Sequence, residues 1–534
     1  MSVKEKTSTS VSFSSENTNR GILITGLIVA MLFASLDNTI VGTALPRIVG
    51  ELGGLGVMTW LTTAYMLSST AVIPVAGKLA DMIGRKSVYL TGLVIFIVGS
   101  ALCGTSETMG QLIGYRALQG IGGGVMMPMA MIIVGDIFTG EQRAKWQGVF
   151  GAVFGLSSII GLQVGGWIVD SLNWRWVFYI NLPVGVLAMV FIAIGLTNQR
   201  QSEKVTIDYA GIVTMILGVI SLLLALTFGG KDYPWTSWQI ISLFLFSAIM
   251  IIWFIRIEQK TSEPILPMSL FANKLFSILS SVGFLMSVGM FGAIMFVPLY
   301  MQGILGVSAA DSGTAMFPMM IAMIVASVIG GRIVYKIGFR PQIIAGMITM
   351  AIGFWLLSTM QLDTSEYVAM SYMVVLGLGM GLVMPLLTLA LQESFPKSEL
   401  GVVTSSSQFF RQIGGTFGMT ILGAVMNHHS TTLLSNQLVP LLEDLPPQAS
   451  EIVTEFESMI QTNPQGMYSI LLSPETMQQI PDEIKTILLP ILKTSLVDSL
   501  HYVFLYGLGF IVLGAILTPF ISVKLTPKSK QASS

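Results

Sequence analysis

Long apolar stretches recur along almost the whole chain of 534 residues, and they decide what it can fold into. Hydrophobic residues make up 53% of the sequence and charged residues only 10%, whereas a soluble domain carries about 25% charged residues. A helix needs about 20 apolar residues to cross a bilayer. The sequence predicts an all-α membrane protein with fourteen spans, at 21–45, 57–79, 87–104, 111–135, 145–169, 176–196, 207–228, 237–256, 276–300, 311–333, 341–359, 367–392, 402–426 and 500–523.

The basic residues predict how these spans are oriented. Of the 27 Lys and Arg residues, twenty fall on the side of the N-terminus, five fall on the opposite side, and two (Arg116 and Arg411) lie within spans. Because cytoplasmic loops are enriched in Lys and Arg, both termini are predicted to be cytoplasmic. The acidic segment 427–499 is then outside, and the apolar residues of 482–499 recur every three or four positions, as in one amphipathic helix that lies on the outer surface or caps the outer mouth.

The second half of the chain repeats the first. The sequence GIGGGVMMP at 120–128 returns as GLGMGLVMP at 377–385, and the loop at 77–86 returns at 331–340. Such repeats are how secondary transporters build a central site that opens alternately to each side. We predict a cytoplasmic tail at 1–20, a six-helix bundle at 21–200, two extra spans at 201–262, a second six-helix bundle at 263–523 that includes an outer loop at 427–499, and a cytoplasmic tail at 524–534.

Asp37 is the only acidic residue that lies deep within any predicted span. A charged group at a helix centre costs about 2.5–3.5 kcal/mol on insertion scales, so it is a functional candidate by default. Arg116, about six residues into its own span, cannot lose its proton and needs a partner. We expect Asp37 to hold and release a proton, or to bind a cation, with Arg116 as a modulator of that exchange.

Four segments carry a resemblance to a known family. They are GKLADMIGRK at 77–86, LDNTIVGTALP at 36–46, RALQGIG at 116–122 and WRWVFYINLPVG at 174–185. Together they resemble the major facilitator superfamily, and specifically its fourteen-helix drug:proton antiporter branch. The resemblance covers nearly the whole chain and implies two six-helix halves, two extra helices between them and proton-coupled export by alternating access.

The resemblance also implies residues that control opening and closing. In the family, the charges of the 77–86 loop latch the two halves together with an acid at the end of the fourth helix. Segment 161–166 (GLQVGG) occupies the antiporter motif of the fifth helix, but Leu162 stands where the family usually has proline. Arg411 resembles a thirteenth-helix signature, with anchoring near the cytoplasmic face left open as an alternative. The gating candidates are Gly77, Asp81, Gly84, Arg85, Lys86, Asp136, Gly161, Gly165, Gly166 and Arg411.

Met and aromatic residues within the spans predict an adaptable apolar cavity. The chain has 34 Met residues, and flexible thioethers and aromatic faces suit varied apolar or cationic ligands. We expect monovalent lipophilic cations and neutral or zwitterionic drugs to bind there, although each of these side chains could equally pack in the core or face lipid. The candidate lining residues, besides Asp37, are Trp60, Tyr65, Met66, Phe154, Met290, Phe291, Met295 and Tyr300.

Other classes of function fit the sequence less well. No complete phosphate-binding loop is present, the glycines at 120–124 lie in a membrane span, and the three His residues are not clustered with further ligands. We therefore expect neither an enzyme nor an ATP-driven pump, with no metal, no cofactor and no nucleic-acid partner. The prediction is a monomeric, multi-pass plasma-membrane exporter of a bacterium. Two alternatives stay open: a dedicated proton-coupled exporter of one antibiotic, metabolite or lipid precursor, and a non-transporting receptor.

Overall fold

The computed structural model describes residues 19–54, 57–197, 207–230, 232–307, 314–443, 456, 458–460, 464–472 and 482–522. Within these residues the chain is helical apart from turns, short connections and one isolated bridge. The helices are α1 (Arg20–Leu52), α2 (Trp60–Ile83), α3 (Arg85–Gly104), α4 (Met109–Ile137), α5 (Gly140–Ser171), α6 (Trp176–Tyr179), α7 (Asn181–Gly195), α8 (Tyr209–Phe228), α9 (Trp238–Glu258), α10 (Met268–Ala272), α11 (Lys274–Gly303), α12 (Phe317–Ile337), α13 (Phe339–Ser358), α14 (Glu366–Ser394), α15 (Leu400–Gln437), α16 (Val439–Glu443), α17 (Pro464–Met467), α18 (Ser469–Leu472) and α19 (Asp482–Leu517).

The predicted all-α membrane architecture is confirmed. In the described part of the chain, twelve helical segments are long and apolar enough to cross a membrane, with α6 and α7 forming one of them. Two more helices, α5 with 32 residues and α15 with 38 residues, are also long enough to cross but are more polar. Counted together they are compatible with the predicted fourteen spans.

The last helix differs from its prediction. Residues 482–499 were expected to form a separate helix on the outer surface, but α19 runs without interruption through them and into the final span, with Pro490 inside it. Leu488, Leu492 and Leu496 are fully buried, because this leucine stripe packs inward in the cluster that also contains residues of α11 and α15. The predicted outer loop at 427–499 is therefore helical at both of its ends, since α15 continues to Gln437.

Two groups of helices pack around one another. Among the first, α1 packs against α5 and α7, and α4 packs against α2 and α3. Among the second, α14 packs against α12 and α13, and α11 packs against α15 and α19. This packing is compatible with the two predicted halves, whose boundaries remain a prediction.

The two groups meet along two seams, α2 against α15 and α5 against α12. Of the two extra helices, α8 and α9, the first lies beside the α2–α15 seam. Helix α8 packs against both α2 and α15, where Thr420 donates to the Leu226 carbonyl oxygen at 3.1 Å and the rings of Trp60 and Phe228 lie 5.2 Å apart. One seam is thus covered by the extra helices.

The seams are tightest at the end of the bundle where α2 gives way to α3, here called the Gly84 end. A Cβ atom added to Gly77 would lie 2.5 Å from the Gly401 carbonyl oxygen and would overlap Ser405. A Cβ atom on Gly148 would lie 2.6 Å from the Ser327 carbonyl oxygen across the other seam. Glycine permits these helix backbones to approach one another directly.

Enlarging Gly77 is expected to separate α2 from α15. In a Cys103→Ser background carrying Ser405→Cys, the Gly77→Val substitution should speed maleimide labelling of position 405 several-fold in purified protein, because the added side chain cannot fit between the backbones. The matched control is Gly423→Val on α15, where an added Cβ meets no atom within 4 Å. Equal labelling rates with and without Gly77→Val would contradict the tight seam.

Candidate functional site

Asp37 and Arg116 form a buried ion pair. The Arg116 Nη1 donates to Asp37 Oδ2 at 2.5 Å, and the two residues are 0% and 1% exposed respectively. The other carboxylate oxygen accepts from the side-chain amides of Gln119 and Asn181, each at 2.8 Å. The Asp37 carboxylate is therefore fully engaged by one cation and two neutral donors.

The guanidinium of Arg116 has further partners around it. Its Nε donates to the Leu61 carbonyl oxygen at 3.1 Å, and its Nη1 also donates to Gln119 Oε1 at 2.6 Å. Its Cζ lies 4.4 Å from the centre of the Tyr65 ring and 5.9 Å from that of Phe178, distances at which a cation is attracted to an aromatic face. The Arg116 guanidinium can therefore keep hydrogen bonds and aromatic contacts within the protein if the Asp37 carboxylate becomes neutral.

Close helix packing brings these side chains together from α1, α2, α4 and α7. A Cβ atom on Gly99 would lie 2.6 Å from the Gln119 Cα, and one on Gly120 would lie 2.5 Å from the Tyr65 carbonyl oxygen. Asn181 is placed by the interruption between α6 and α7, since it is the first residue of α7. Gln119 and Asn181 were not predicted as site residues, although an amide within an apolar span is a signal that could have identified them.

A second charged cluster lies at the Gly84 end. Arg85 contacts both Asp81 and Asp136, and its Nε lies 2.8 Å from Asp136 Oδ2. The Asp81 carboxylate also accepts from the backbone N–H groups of Gly401 at 3.1 Å and Val402 at 2.9 Å. These are at the N-terminal end of α15, where free N–H groups and the helix dipole favour a negative charge. Asp81 thereby joins α2 to α15 across a seam.

Other gating candidates have different surroundings. Gly84 has φ +98° and allows the sharp turn from α2 to α3. Lys86 donates to the Ala193 carbonyl oxygen at 2.7 Å and so ties the start of α3 to α7. Cβ atoms on Gly161 and Gly165 would run into Thr39 and Thr43 of α1, whereas one on Gly166 would meet nothing within 4 Å. The glycine-rich segment thus tightens α5 against α1, and the Leu162 side chain lies outside the described atoms.

The residues that join α4 and α5 to α14 were not predicted as site residues. Arg143 donates to the Gln392 carbonyl oxygen and to Glu393, each at 2.9 Å. Gln147 Nε2 donates to Gln392 Oε1 at 2.9 Å, and Gln392 Nε2 donates to the Met131 carbonyl oxygen at 3.0 Å. Hydrogen bonds therefore join the two groups of helices at the Gly84 end in two places, between α2 and α15 and between α4–α5 and α14.

The predicted lining residues have different surroundings, and their role in binding stays a prediction. Tyr65 is buried against Arg116, and Trp60 packs on Phe228 of α8. Tyr300 is fully buried and donates to the Gln361 carbonyl oxygen at 2.7 Å, whereas Met295 is 50% exposed. Met290 is buried, and the others are partly buried: Met66, Phe154 and Phe291.

Arg411 lies in the middle part of α15, away from its ends. Its side chain is 4% exposed, and it donates to the Gln408 side chain and, at 3.3 Å, to the Met384 carbonyl oxygen. No carboxylate pairs with it among the described ion pairs. Both interpretations of Arg411, a residue of a family signature and an anchor near the cytoplasmic face, stay predictions.

Comparison with protein families gives one extensive match. The description of the family is Major Facilitator Superfamily, and the match covers residues 27–208 and 209–419. Among similar curated proteins, the multidrug transporter protein MdtP of Bacillus subtilis is 62% identical over 517 residues, covering 97% of this chain and 96% of its own. Multidrug resistance protein 3 of the same organism is 37% identical over 499 residues, covering 93% and 94%.

Solved structures share the fold. The human organic anion transporter MFSD10 superposes with a TM-score of 0.60 at 14% identity, covering 94% of this chain and 99% of its own. The proton:xylose symporter XylE superposes with a TM-score of 0.55 at 13% identity, covering 86% and 96%. At such low identity these similarities establish the architecture alone.

Breaking the Asp37–Arg116 pair from its two sides is expected to give different pH dependences. Removing one partner of a buried pair typically costs about 3–5 kcal/mol. Asp37→Asn leaves a guanidinium that cannot lose its proton, so its loss of thermal stability should be similar at pH 5 and pH 8. Arg116→Met leaves a carboxylate that protonation can neutralise, so its loss should be smaller at pH 5.

Thermal unfolding of the purified variants measures both effects. Arg175→Met is the control, because Arg175 pairs with Glu51 at a partly exposed position, where an ion pair contributes at most about 1 kcal/mol. Identical pH profiles for the two single variants would show that the pair does not carry charge in the folded protein.

Proposed function

The chain belongs to the major facilitator superfamily of membrane transporters, and from that premise we propose that it exports lipophilic and cationic drugs in exchange for protons by alternating access. The observation that carries the proposal is the buried Asp37–Arg116 pair, held by Gln119 and Asn181. Transporters of this superfamily are not enzymes, and nothing in the pair requires a metal or cofactor.

The drug-export part of the proposal is supported by two relatives. Both are named for multidrug transport or resistance, and each aligns over more than nine-tenths of this chain. The proposal extends those names to this protein because one of the two relatives is 62% identical over nearly the whole length of both chains. A dedicated exporter of one compound remains the alternative that a broad substrate screen would distinguish.

Proton coupling is proposed to arise from competition at Asp37. A proton on the carboxylate removes its negative charge, after which Arg116 can keep its bonds to the Leu61 carbonyl and the Gln119 side chain. A cationic drug reaching Asp37 favours the ionised carboxylate and expels that proton. In one-for-one exchange of a monovalent cationic drug for a proton the two charges cancel, so the pH gradient drives export. For a neutral drug, one proton crossing a potential of 100 mV contributes about 2.3 kcal/mol more.

Alternating access is proposed to use the Gly84 end as the cytoplasmic gate. With both termini cytoplasmic in a bacterial plasma membrane, the bonds from Asp81 to Gly401 and Val402 close the inner side of a single protomer. The inward-open state must break these bonds, together with those between Arg143 and the end of α14. The described state is thus assigned as closed toward the cytoplasm.

Removing the negative charge of Asp81 is expected to open the cytoplasmic gate. Spin labels at Gln142 and Ser398, both exposed at the Gly84 end on opposite groups of helices, should show a longer distance population in Asp81→Asn than in wild type, in a Cys103→Ser background. The control is Glu263→Gln, which removes an exposed ion pair with Lys78 on the same side. A distance distribution that Asp81→Asn leaves unchanged would rule out a latch at Asp81.

Substrate-induced proton release tests the proposed coupling directly. Adding rhodamine 123, a lipophilic monocation, to purified and weakly buffered wild-type protein should release protons, and Asp37→Asn should abolish the release because an amide carries no exchangeable acid proton. Asp363→Asn, at an exposed position, should release as much as wild type. No release from wild type with any lipophilic cation would refute antiport, and normal release from Asp37→Asn would refute the role of Asp37.

A further inference from the structure

Arg411 is a buried cation whose hydrogen-bonding capacity is not fully used. Its Nη atoms donate to Gln408 and to the Met384 carbonyl oxygen, but its Nε has no acceptor in the part of the chain that the structure describes. A buried donor without an acceptor is destabilising, and more so when it is charged. Arg116, by contrast, pairs with a carboxylate.

Three buried hydroxyls lie at the same level of neighbouring helices. Ser280 of α11, Thr388 of α14 and Ser407 of α15 are each at most 6% exposed, and their hydroxyl oxygens have no hydrogen-bond partner among the described residues. On α11 and α14, the hydroxyl-bearing residue is about one helical turn closer to the Gly84 end than the residue that contacts Arg411. On α15, Ser407 is about one turn closer to that end than Arg411 itself. Residues three or four apart share one face of a helix, so the hydroxyls continue the faces that surround the guanidinium.

The helices approach Arg411 closely enough to form one site. A Cβ atom on Gly283 of α11 would lie 3.0 Å from Arg411 Cγ and 3.5 Å from the Leu387 side chain of α14. A Cβ atom there would be in tight contact with the Arg411 side chain, so α11 and α15 approach each other directly at this point. One buried cation and three neutral donors thus lie on three helices of the second group that pack against one another, and no acidic residue is bonded to any of them in the described part of the chain.

The site also borders the first group of helices. Gln408, which accepts from Arg411, has its own amide 3.9 Å from the Met127 sulfur of α4. Any movement that separates α15 from α4 breaks this contact, while the bond between Gln408 and Arg411 stays within α15. The surroundings of Arg411 therefore change when the transporter changes state.

We propose that Arg411, with Ser280, Thr388 and Ser407, forms a subsite for one carboxylate or similar monoanionic group of a transported molecule. This inference rests on the transport function proposed above and extends its substrates to zwitterions and organic anions. A guanidinium binds a carboxylate through two parallel N–H bonds, and the hydroxyls supply further donors. The two groups of helices then offer opposite charges, Asp37 in the first and Arg411 in the second.

A pair of matched dyes tests the subsite on the full-length purified protein. Rhodamine 110 carries a free carboxylate, and rhodamine 123 is its methyl ester, so the two differ in that group. Fluorescence anisotropy should show that Arg411→Gln weakens the binding of rhodamine 110 at least 10-fold and changes that of rhodamine 123 less than 2-fold. Arg332→Gln, the same change at an exposed residue of the second group, should affect neither dye.

The outcomes separate the subsite from other roles of Arg411. Equal weakening for both dyes would show that Arg411 only supports the helices, and unchanged binding of rhodamine 110 would show that it does not contact the carboxylate; either result overturns the proposal. Arg411→Lys, which keeps the charge, should retain most of the affinity for rhodamine 110, and a loss as large as that of Arg411→Gln for both dyes would again overturn it.

A wild-type measurement keeps the test decisive if the variants do not fold. Benzoate should displace rhodamine 110 at concentrations where the neutral benzamide does not, and equal displacement by both would overturn the subsite. Energy-dependent efflux of rhodamine 123 from vesicles is measured separately. If efflux is absent but Arg411→Gln still weakens the binding of rhodamine 110 alone, the proposed transport function is refuted and the subsite stays supported.

Discussion

The ion pair between Asp37 and Arg116 is the interaction on which the first group of helices depends. Neither charge has contact with bulk solvent, so each must find its counter-charge and hydrogen bonds within the protein. Four helices supply them, and glycines such as Gly99 and Gly120 bring those helices to the required distance. The contacts that pack this group of helices are therefore also the contacts that hold its two buried charges.

The connection between the two groups has a different physical basis. At the Gly84 end, the bonds run from side chains to backbone groups and helix ends, as between Asp81 and the first turn of α15. Such bonds can be exchanged for water when they open, because they lie at an end of the bundle. Buried bonds within the first group and replaceable bonds at the end of the bundle are what the proposed movement of two groups requires.

The sequence was sufficient for the spans and for the pairing of the two deep charges. Asp37 and Arg116 stand out because a charge in an apolar span is rare, and the family match supports the architecture that the repeat predicted. Arg143 was not recognised, because a basic residue near a predicted loop resembles one that only sets orientation. Helix α19 was divided wrongly because its leucine stripe is as compatible with a surface helix as with burial between helices. Whether a carboxylate pairs with Arg411 depends on the side chains of the facing helices. The spacing of residues within one span does not identify those side chains.

The extra helices make the two seams unequal toward the lipid. Because α8 packs across α2 and α15, a molecule dissolved in the bilayer meets a helix pair there before it can reach the seam. The α5–α12 seam instead has its most extensive contacts with members of the two main groups. A hydrophobic compound that partitions into the membrane is thus screened from one seam by helices that belong to neither half of the repeat.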